Sequence, residues 1–214
     1  RSKDLYDMTS LWGIDRLAAG LLSLKTPESQ LWHDLGTDDM FGNEMSYEEK
    51  VAIERLNKYL FKVRSNPKSG FWNAHRPAIK SMCAFGTGWI MILEKEGRDA
   101  RTPYEYTYIP ITELYAGTAT NGQVNRGYRA FAWTFEQIAR HFGADNVPKQ
   151  FVVHANDKEQ KHKTAKILHC VRPRSDPGRE PGTKGSEFVS QYVFPDESAL
   201  VGPESGFFEF PFVR

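Results

Sequence analysis

Apolar positions follow a helical period through the first part of the chain and a strand-like pattern after it. Leu5, Met8, Leu11/Trp12, Leu17/Ala18 and Leu21/Leu22 predict a helix over Asp4–Leu24, with Pro27 just past its end. Gln30–Asn43 is polar and acidic and reads as irregular. Ser46-Tyr47-Glu48-Glu49 is a capping box, in which a serine oxygen and a glutamate three residues on satisfy each other's backbone N–H. It opens a helix through Val51, Leu56, Tyr59/Leu60 and Val63 that Asn66-Pro67 ends. A third helix covers about Phe71–Ala84; Pro77 either kinks it or lies in the first turn of a helix that starts nearer Asn73.

The period then changes. Trp89–Glu94, Tyr104–Ile111 and Thr112–Thr118 read as strands, and Asn121-Gly122 as a two-residue hairpin turn returning through Gln123–Trp133. Thr134-Phe135-Glu136-Gln137 is a second capping box, and its helix ends where Gly143 stands in a left-handed cap position. A short helix follows Pro148, then a charged turn over Lys158–Lys163. The last strands are expected at Ala165–Arg172, Glu187–Phe194 and Gly206–Val213, with a Pro- and Gly-rich loop over Pro173–Gly185. Helices first, an antiparallel cluster, two more helices and more strands define an α+β fold, here read as a single domain over residues 1–214.

Phe85-Gly86-Thr87-Gly88 looks at first like a phosphate loop. Such loops run strand, glycines, helix, so that free N–H groups at a helix N-terminus meet the anion. Here a helix enters and a strand leaves, so the glycines meet the carbonyl end of the helix, and no Lys-Ser or Lys-Thr follows. Gly86 and Gly88 are therefore read as a structural turn.

Composition adds limits. The 214 residues are 40% hydrophobic and 26% charged, with a net charge of +1, so no global field calls for a particular partner. Cys83 and Cys170 are too few for a disulfide framework and read as buried thiols. No apolar run approaches the roughly 18 residues of a membrane span, so no membrane partner is expected. His169 and Cys170 are adjacent in a strand and face opposite sides, and no metal-ligand spacing occurs, so no metal or cofactor is expected. Asp38-Asp39 and Glu48-Glu49 read as solvated loop and helix-start carboxylates, and neither Ser190 nor Thr164 has a matched base nearby in sequence. The segment around the last loop is basic. Lys161, Lys163, Lys166, Arg172, Arg174, Arg179 and Lys184 form a candidate patch for DNA or an acidic partner. The acidic segment before Ser46 has the opposite sign, a combination that suits head-to-tail packing.

Several motifs, in order, resemble one family. They are Leu17-Ala18-Ala19-Gly20-Leu21-Leu22 with Leu24-Lys25-Thr26-Pro27 and Trp32; Ser65-Asn66 with Phe71; and Phe85-Gly86-Thr87-Gly88. Next come Ile109-Pro110, Asn121-Gly122-Gln123-Val124, Tyr128-Arg129 and His141-Phe142-Gly143. His169-Cys170-Val171-Arg172-Pro173-Arg174, Glu204-Ser205-Gly206-Phe207 and Phe210-Pro211-Phe212 complete the series. Together they resemble the portal, or head-to-tail connecting, proteins of short-tailed bacteriophages. The resemblance implies a structural subunit rather than an enzyme. It would sit in a dodecameric ring at one capsid vertex, the channel for DNA packaging and ejection. The ring's partners would be its own copies, the major capsid protein, the terminase, a tail adaptor and the double-stranded DNA in the channel. The location would be the virion, with assembly in the host cytoplasm. The chain's first residue is not methionine, and its end is the apolar run Phe207–Val213; both suggest a fragment of a longer protein, and the resemblance implies that it is most of the wing domain, without stem, clip and crown. The alternatives are another phage interaction module, such as a tail adaptor or capsid-bound protein, or a metal-dependent phage hydrolase using Asp38, Asp39 and His33. Ring assembly separates the first from a portal; loss of metal-dependent DNA turnover in Asp39→Ala would identify the second.

Overall fold

Helices and strands segregate along the chain, giving the expected α+β fold. The computed structural model describes residues 7–36, 45–95, 101–178, 185–196 and 199–214. The described helices are α1 (Thr9–Lys25), α2 (Tyr47–Ser65), α3 (Phe71–Phe85), α4 (Phe135–Phe142) and α5 (Lys149–Asn156). The strands are β1 (Trp89–Glu94), β2 (Tyr104–Ile109), β3 (Leu114–Thr118), β4 (Val124–Thr134), β5 (Thr164–Pro173), β6 (Phe188–Phe194), β7 (Ala199–Phe207) and β8 (Phe212–Val213). They form one sheet of order β2-β1-β8 and one of order β3-β4-β5-β6-β7. The chain divides into two compact units, Arg1–Ile111 with Val213–Arg214, and Thr112–Phe212.

In the first unit, local chemistry sets the helix ends. Ser46 Oγ accepts from the Glu49 N–H, and Glu49 returns a carboxylate oxygen to the Ser46 N–H at 2.8 Å. Asn66 and Pro67 end α2 in a short 3-10 turn, where the buried Ser69 hydroxyl donates to the Asn66 carbonyl and accepts from the Phe71 N–H. α3 starts at Phe71, so Pro77 lies inside it rather than in its first turn. Its missing N–H leaves the Asn73 carbonyl without the usual helical partner. Phe71, Ala74 and Ala78 are buried on α3, which packs on β1 and β2, whose Trp89, Met91 and Ile109 are buried too.

The glycine turn after α3 has two distinct causes. Gly86 takes the left-handed conformation, φ 77°, and its N–H caps the helix on the Met82 carbonyl. Gly88 is needed for space: a Cβ there would lie 2.1 Å from the Ala78 carbonyl oxygen. The Ser81 hydroxyl ties the turn back by donating to the Thr87 carbonyl at 2.9 Å.

α1 differs from its sequence pattern. It begins at Thr9, whose N–H and hydroxyl both donate to the Asp7 carboxylate, and Ala18 is its buried residue. Trp12 and Leu17, on the apolar pattern, are 68% and 54% exposed. Periodicity identified the helix and not what covers it.

The second unit is a five-stranded antiparallel sheet with α4 and α5 on one face. Ile138, Val147 and Phe151 pack against Ile167, Phe194 and Val201, and Phe151 stacks on Phe194 at 4.1 Å between ring centroids. Thr134 caps α4 with the expected box. At the other end of α4, Gly143 has a positive φ of 79° but an extended ψ of 149°, so it is not the left-handed helical cap expected. The chain leaves it into a 3-10 turn, whose Asn146 amide donates to the Phe142 carbonyl.

Two further differences arise at hairpins. The β3–β4 loop is not a two-residue Asn-Gly turn. Ala119 N–H donates to the Gln123 carbonyl and Gly122 N–H to the Ala119 carbonyl, so Thr120-Asn121-Gly122 form the loop with Gly122 at φ 80°. This is a three-residue loop with a positive-φ glycine at its end, and the register shifts beside it at Gly117/Thr118. The final strand expected at Gly206–Val213 is instead β7 from Ala199, a turn, and the short β8. Gly202 and Pro203 obscured β7. An edge strand tolerates both, because one side of it has no neighbour, and Gly202 and Pro203 fall where the β6–β7 pairing shifts register.

Phe210 and Phe212 fold back over the sheet. A Cβ on Gly127 would meet the Phe212 ring at 2.7 Å, and Phe210 lies 5.5 Å from both Phe188 and Phe212. Phe212 is buried, so Phe212→Ala is expected to cost about 3–5 kcal/mol, read as a lowered urea midpoint.

Candidate contact surface

Strand alternation gives the five-stranded sheet two unlike faces. The register aligns Leu114, Arg129, His169, Tyr192 and Val201 across the helix-covered face. The opposite face carries Ala130, Leu168, Val193 and Leu200 in one row and Tyr115, Tyr128, Cys170 and Gln191 in the next. Leu200 and Tyr115 are 64% and 67% exposed.

The covered face holds the most perturbed ionisable group. His169 is buried, stacks on Tyr192 at 4.2 Å, and its Nε2 lies 2.8 Å from Ser190 Oγ. Burial first, then the nearby Arg129 and His141, push the imidazole down to about 3. So Ser190, which has no base near it in sequence, acquires one across the strands. The pair is still unsuited to catalysis, because both residues are buried and a base this weak does not take a hydroxyl proton at neutral pH. Arg129 is held by Glu113 at 2.9 Å and lies over the Phe131 ring.

Of the residues expected to form one basic patch, Lys166 and Arg172 lie on β5 and the other described ones flank it. Lys161 and Lys163 lie in the turn before it, Lys161 half-buried and Lys163 exposed. Lys166 and Arg172 are exposed on the uncovered face, and six residues of extended strand separate them by about 20 Å. Arg174 is committed elsewhere: it donates to the Glu204 carboxylate at 2.7 Å and to the Ser186 carbonyl. Arg179 and Lys184 lie outside the described residues, as do Asp38 and Asp39.

The structure adds a residue that the linear reading missed. β4–β5 pairing ends with Gly127 opposite Val171, which puts Arg126 and Arg172 at the next position of neighbouring strands. Both are exposed, and among the described residues neither forms an ion pair. Gly117, opposite Arg126, gives its side chain room, since a Cβ there would stand 3.3 Å from the Arg126 Cβ. Cross-strand register was the signal for this pair, and it appears once β4 and β5 are aligned.

Cys83 and Cys170 are free, as expected, but half-buried rather than buried; burial raises the Cys170 thiol. Among the described residues, no group of three or more His, Cys, Asp or Glu stands where it could hold a metal ion, and no helix is long and apolar enough to cross a membrane.

An α+β chain with an open, partly apolar sheet face and an inaccessible Ser–His pair has the make-up of a structural component that works by contact. The chain belongs to the bacteriophage head-to-tail connecting proteins, whose family model matches it over residues 1–214. It is therefore a structural phage protein of the virion with a head-to-tail connector role. No curated protein matches it.

Proposed function

We propose that this chain is a portal subunit. Copies of it form a ring at one capsid vertex, through which double-stranded DNA is packaged and ejected. The ring docks the terminase during packaging and the tail afterwards, contacts the major capsid protein, and assembles in the bacterial cytoplasm. One observation carries this reading: the match to the connector family runs from the first residue to the last. The dodecamer, and the wing as the part of the portal this chain represents, are included in the proposal on the motif resemblance alone.

Deleting the gene from the phage or prophage that encodes it provides the test. Loss of a portal leaves empty heads without packaged DNA. Heads that fill with DNA but lack tails would instead identify an adaptor acting after packaging. Normal tailed, filled particles would refute both.

A further inference from the structure

Residues 26–36 follow α1 and run across α3 and α2 as a strap with neither helix nor strand. Side chains hold it down. Thr26 Oγ1 lies 3.1 Å from His75 Nε2, and Glu28 pairs with Arg76, both partners on α3. Trp32 stacks on Phe71 and His75 of α3 at 6.1 and 6.4 Å between ring centroids, and the Arg64 guanidinium of α2 lies over its ring. His33 packs beside Phe61 of α2. At the far end Asn57, buried on α2, accepts from the Leu35 N–H at 2.9 Å and donates to the Asp34 carboxylate at 2.5 Å.

The closed strap carries a cost at its centre. The indole Nε1 of Trp32 and both ring nitrogens of His33 are sealed from solvent, and among the described residues none has a hydrogen-bond partner. Burial first, then the Arg64 charge, holds the His33 imidazole below its usual range, so the ring is neutral, with one nitrogen to donate and one to accept. The Asn57 carbonyl and the Asp34 carboxylate favour a proton on the ring, but neither meets it at hydrogen-bond geometry. A sealed polar atom without a partner has given up its water for nothing, so three of them on two consecutive residues favour release. Little opposes it. Leu31 and Leu35 are exposed while the strap is closed, so the strap's own apolar burial is mostly that of Trp32.

We propose that residues 26–36 form a hinged strap that lifts off α2 and α3 while the rest of the first unit stays folded, with the Asn57 clip as its catch. Opening returns the Trp32 and His33 nitrogens to water and bares the Phe71 ring beneath Trp32. The helices keep their own backbone bonds, so the motion is a local opening rather than unfolding. It occurs in the single chain, whether or not copies assemble, and gives the first unit a second surface state.

Hydrogen exchange in the whole chain, followed by NMR, tests this. The Trp32 indole N–H is sealed and the Leu35 amide is held only by the clip, so both report opening of the strap. We expect both to exchange at least about tenfold faster than the interior amides of α2 and α3, with a weaker dependence on urea. Exchange at the same rate and with the same urea dependence as those amides overturns the proposal, because the strap would then open only with the fold. His33→Leu removes two sealed polar atoms at similar volume and is expected to slow exchange at Trp32 several-fold. Faster exchange in this variant overturns the proposal, since the ring nitrogens would then be holding the strap down. Asn57→Ala is expected to speed both reporters about tenfold while the α3 amides keep their rates. Asp34→Ala, at an exposed residue, loses one clip bond and should speed them several-fold even where Asn57→Ala does not fold. Unchanged reporter rates in Asp34→Ala show that the clip is not the catch and overturn the proposal.

Discussion

Gly88→Ala is expected to destabilise the first unit more than any other single-methyl addition in the glycine turn. The new Cβ would lie 2.1 Å from the Ala78 carbonyl oxygen, a backbone atom within α3. Relief requires moving the helix away from β1, and overpacking of this kind costs about 3 kcal/mol. Gly86→Ala has a different cause and a smaller effect. Nothing lies within 4 Å of its would-be Cβ, so the cost is that of holding a left-handed φ of 77°, about 1–2 kcal/mol. Gly86→Val carries the same penalty plus that of a branched side chain and should exceed Gly86→Ala. Urea unfolding followed by tryptophan fluorescence checks the order. If Gly88→Ala melts like the parent, the close approach of α3 to the turn is wrong.

Acid should destabilise the second unit through His169. In an unfolded chain its imidazole titrates near 6.5, whereas burial holds it down to about 3 in the fold. Below pH 6.5 the unfolded chain takes up a proton that the folded chain refuses. The stability is therefore complete above pH 6.5 and is lost as pH falls toward about 3. At pH 4.5 the loss from this residue is about 2.7 kcal/mol. Arg129 and His141 oppose the charge on the same side, and Ser190 meets the ring without supplying a countercharge. His169→Gln removes the titration, so its loss of stability between pH 7 and 4.5 should be smaller than the parent's by about this amount. An unchanged pH slope in the variant would show that His169 takes its proton in the folded state.

What the sequence reveals depends on how far apart the interacting residues are. The boxes at Ser46 and Thr134 involve residues three apart, and both were legible. So was Gly86, because its N–H bonds within the turn that it ends. Gly88 was assigned to the turn for conformational freedom, but its reason is a carbonyl ten residues back, which local reading does not reach. Ser190 and His169 are 21 residues apart and meet only through the β5–β6 register. Arg126 stayed outside the basic patch for the same reason: Arg172, its neighbour, belongs to another strand. The patch itself was a feature of the linear chain, and an extended strand holds its Lys166 and Arg172 six residues apart. The exposure of Trp12 and Leu17 was equally illegible, because periodicity reports amphipathy and not the partner.

β7 has one more consequence. It is an edge of its sheet, where unpaired N–H and C=O groups invite another strand. Pro203 offers no N–H, Gly202 turns the backbone to φ 69°, and Glu204 adds a charge held by Arg174 and Gln191. The β6–β7 register also slips here, between Ser190 and Tyr192. At the other edge β3 is short and slips at Gly117/Thr118. Both borders are thus poor templates for fibre-like growth, even in the ring proposed above. Association is left to side chains on faces, which can be matched, counted and closed, and not to a backbone edge that would extend without limit.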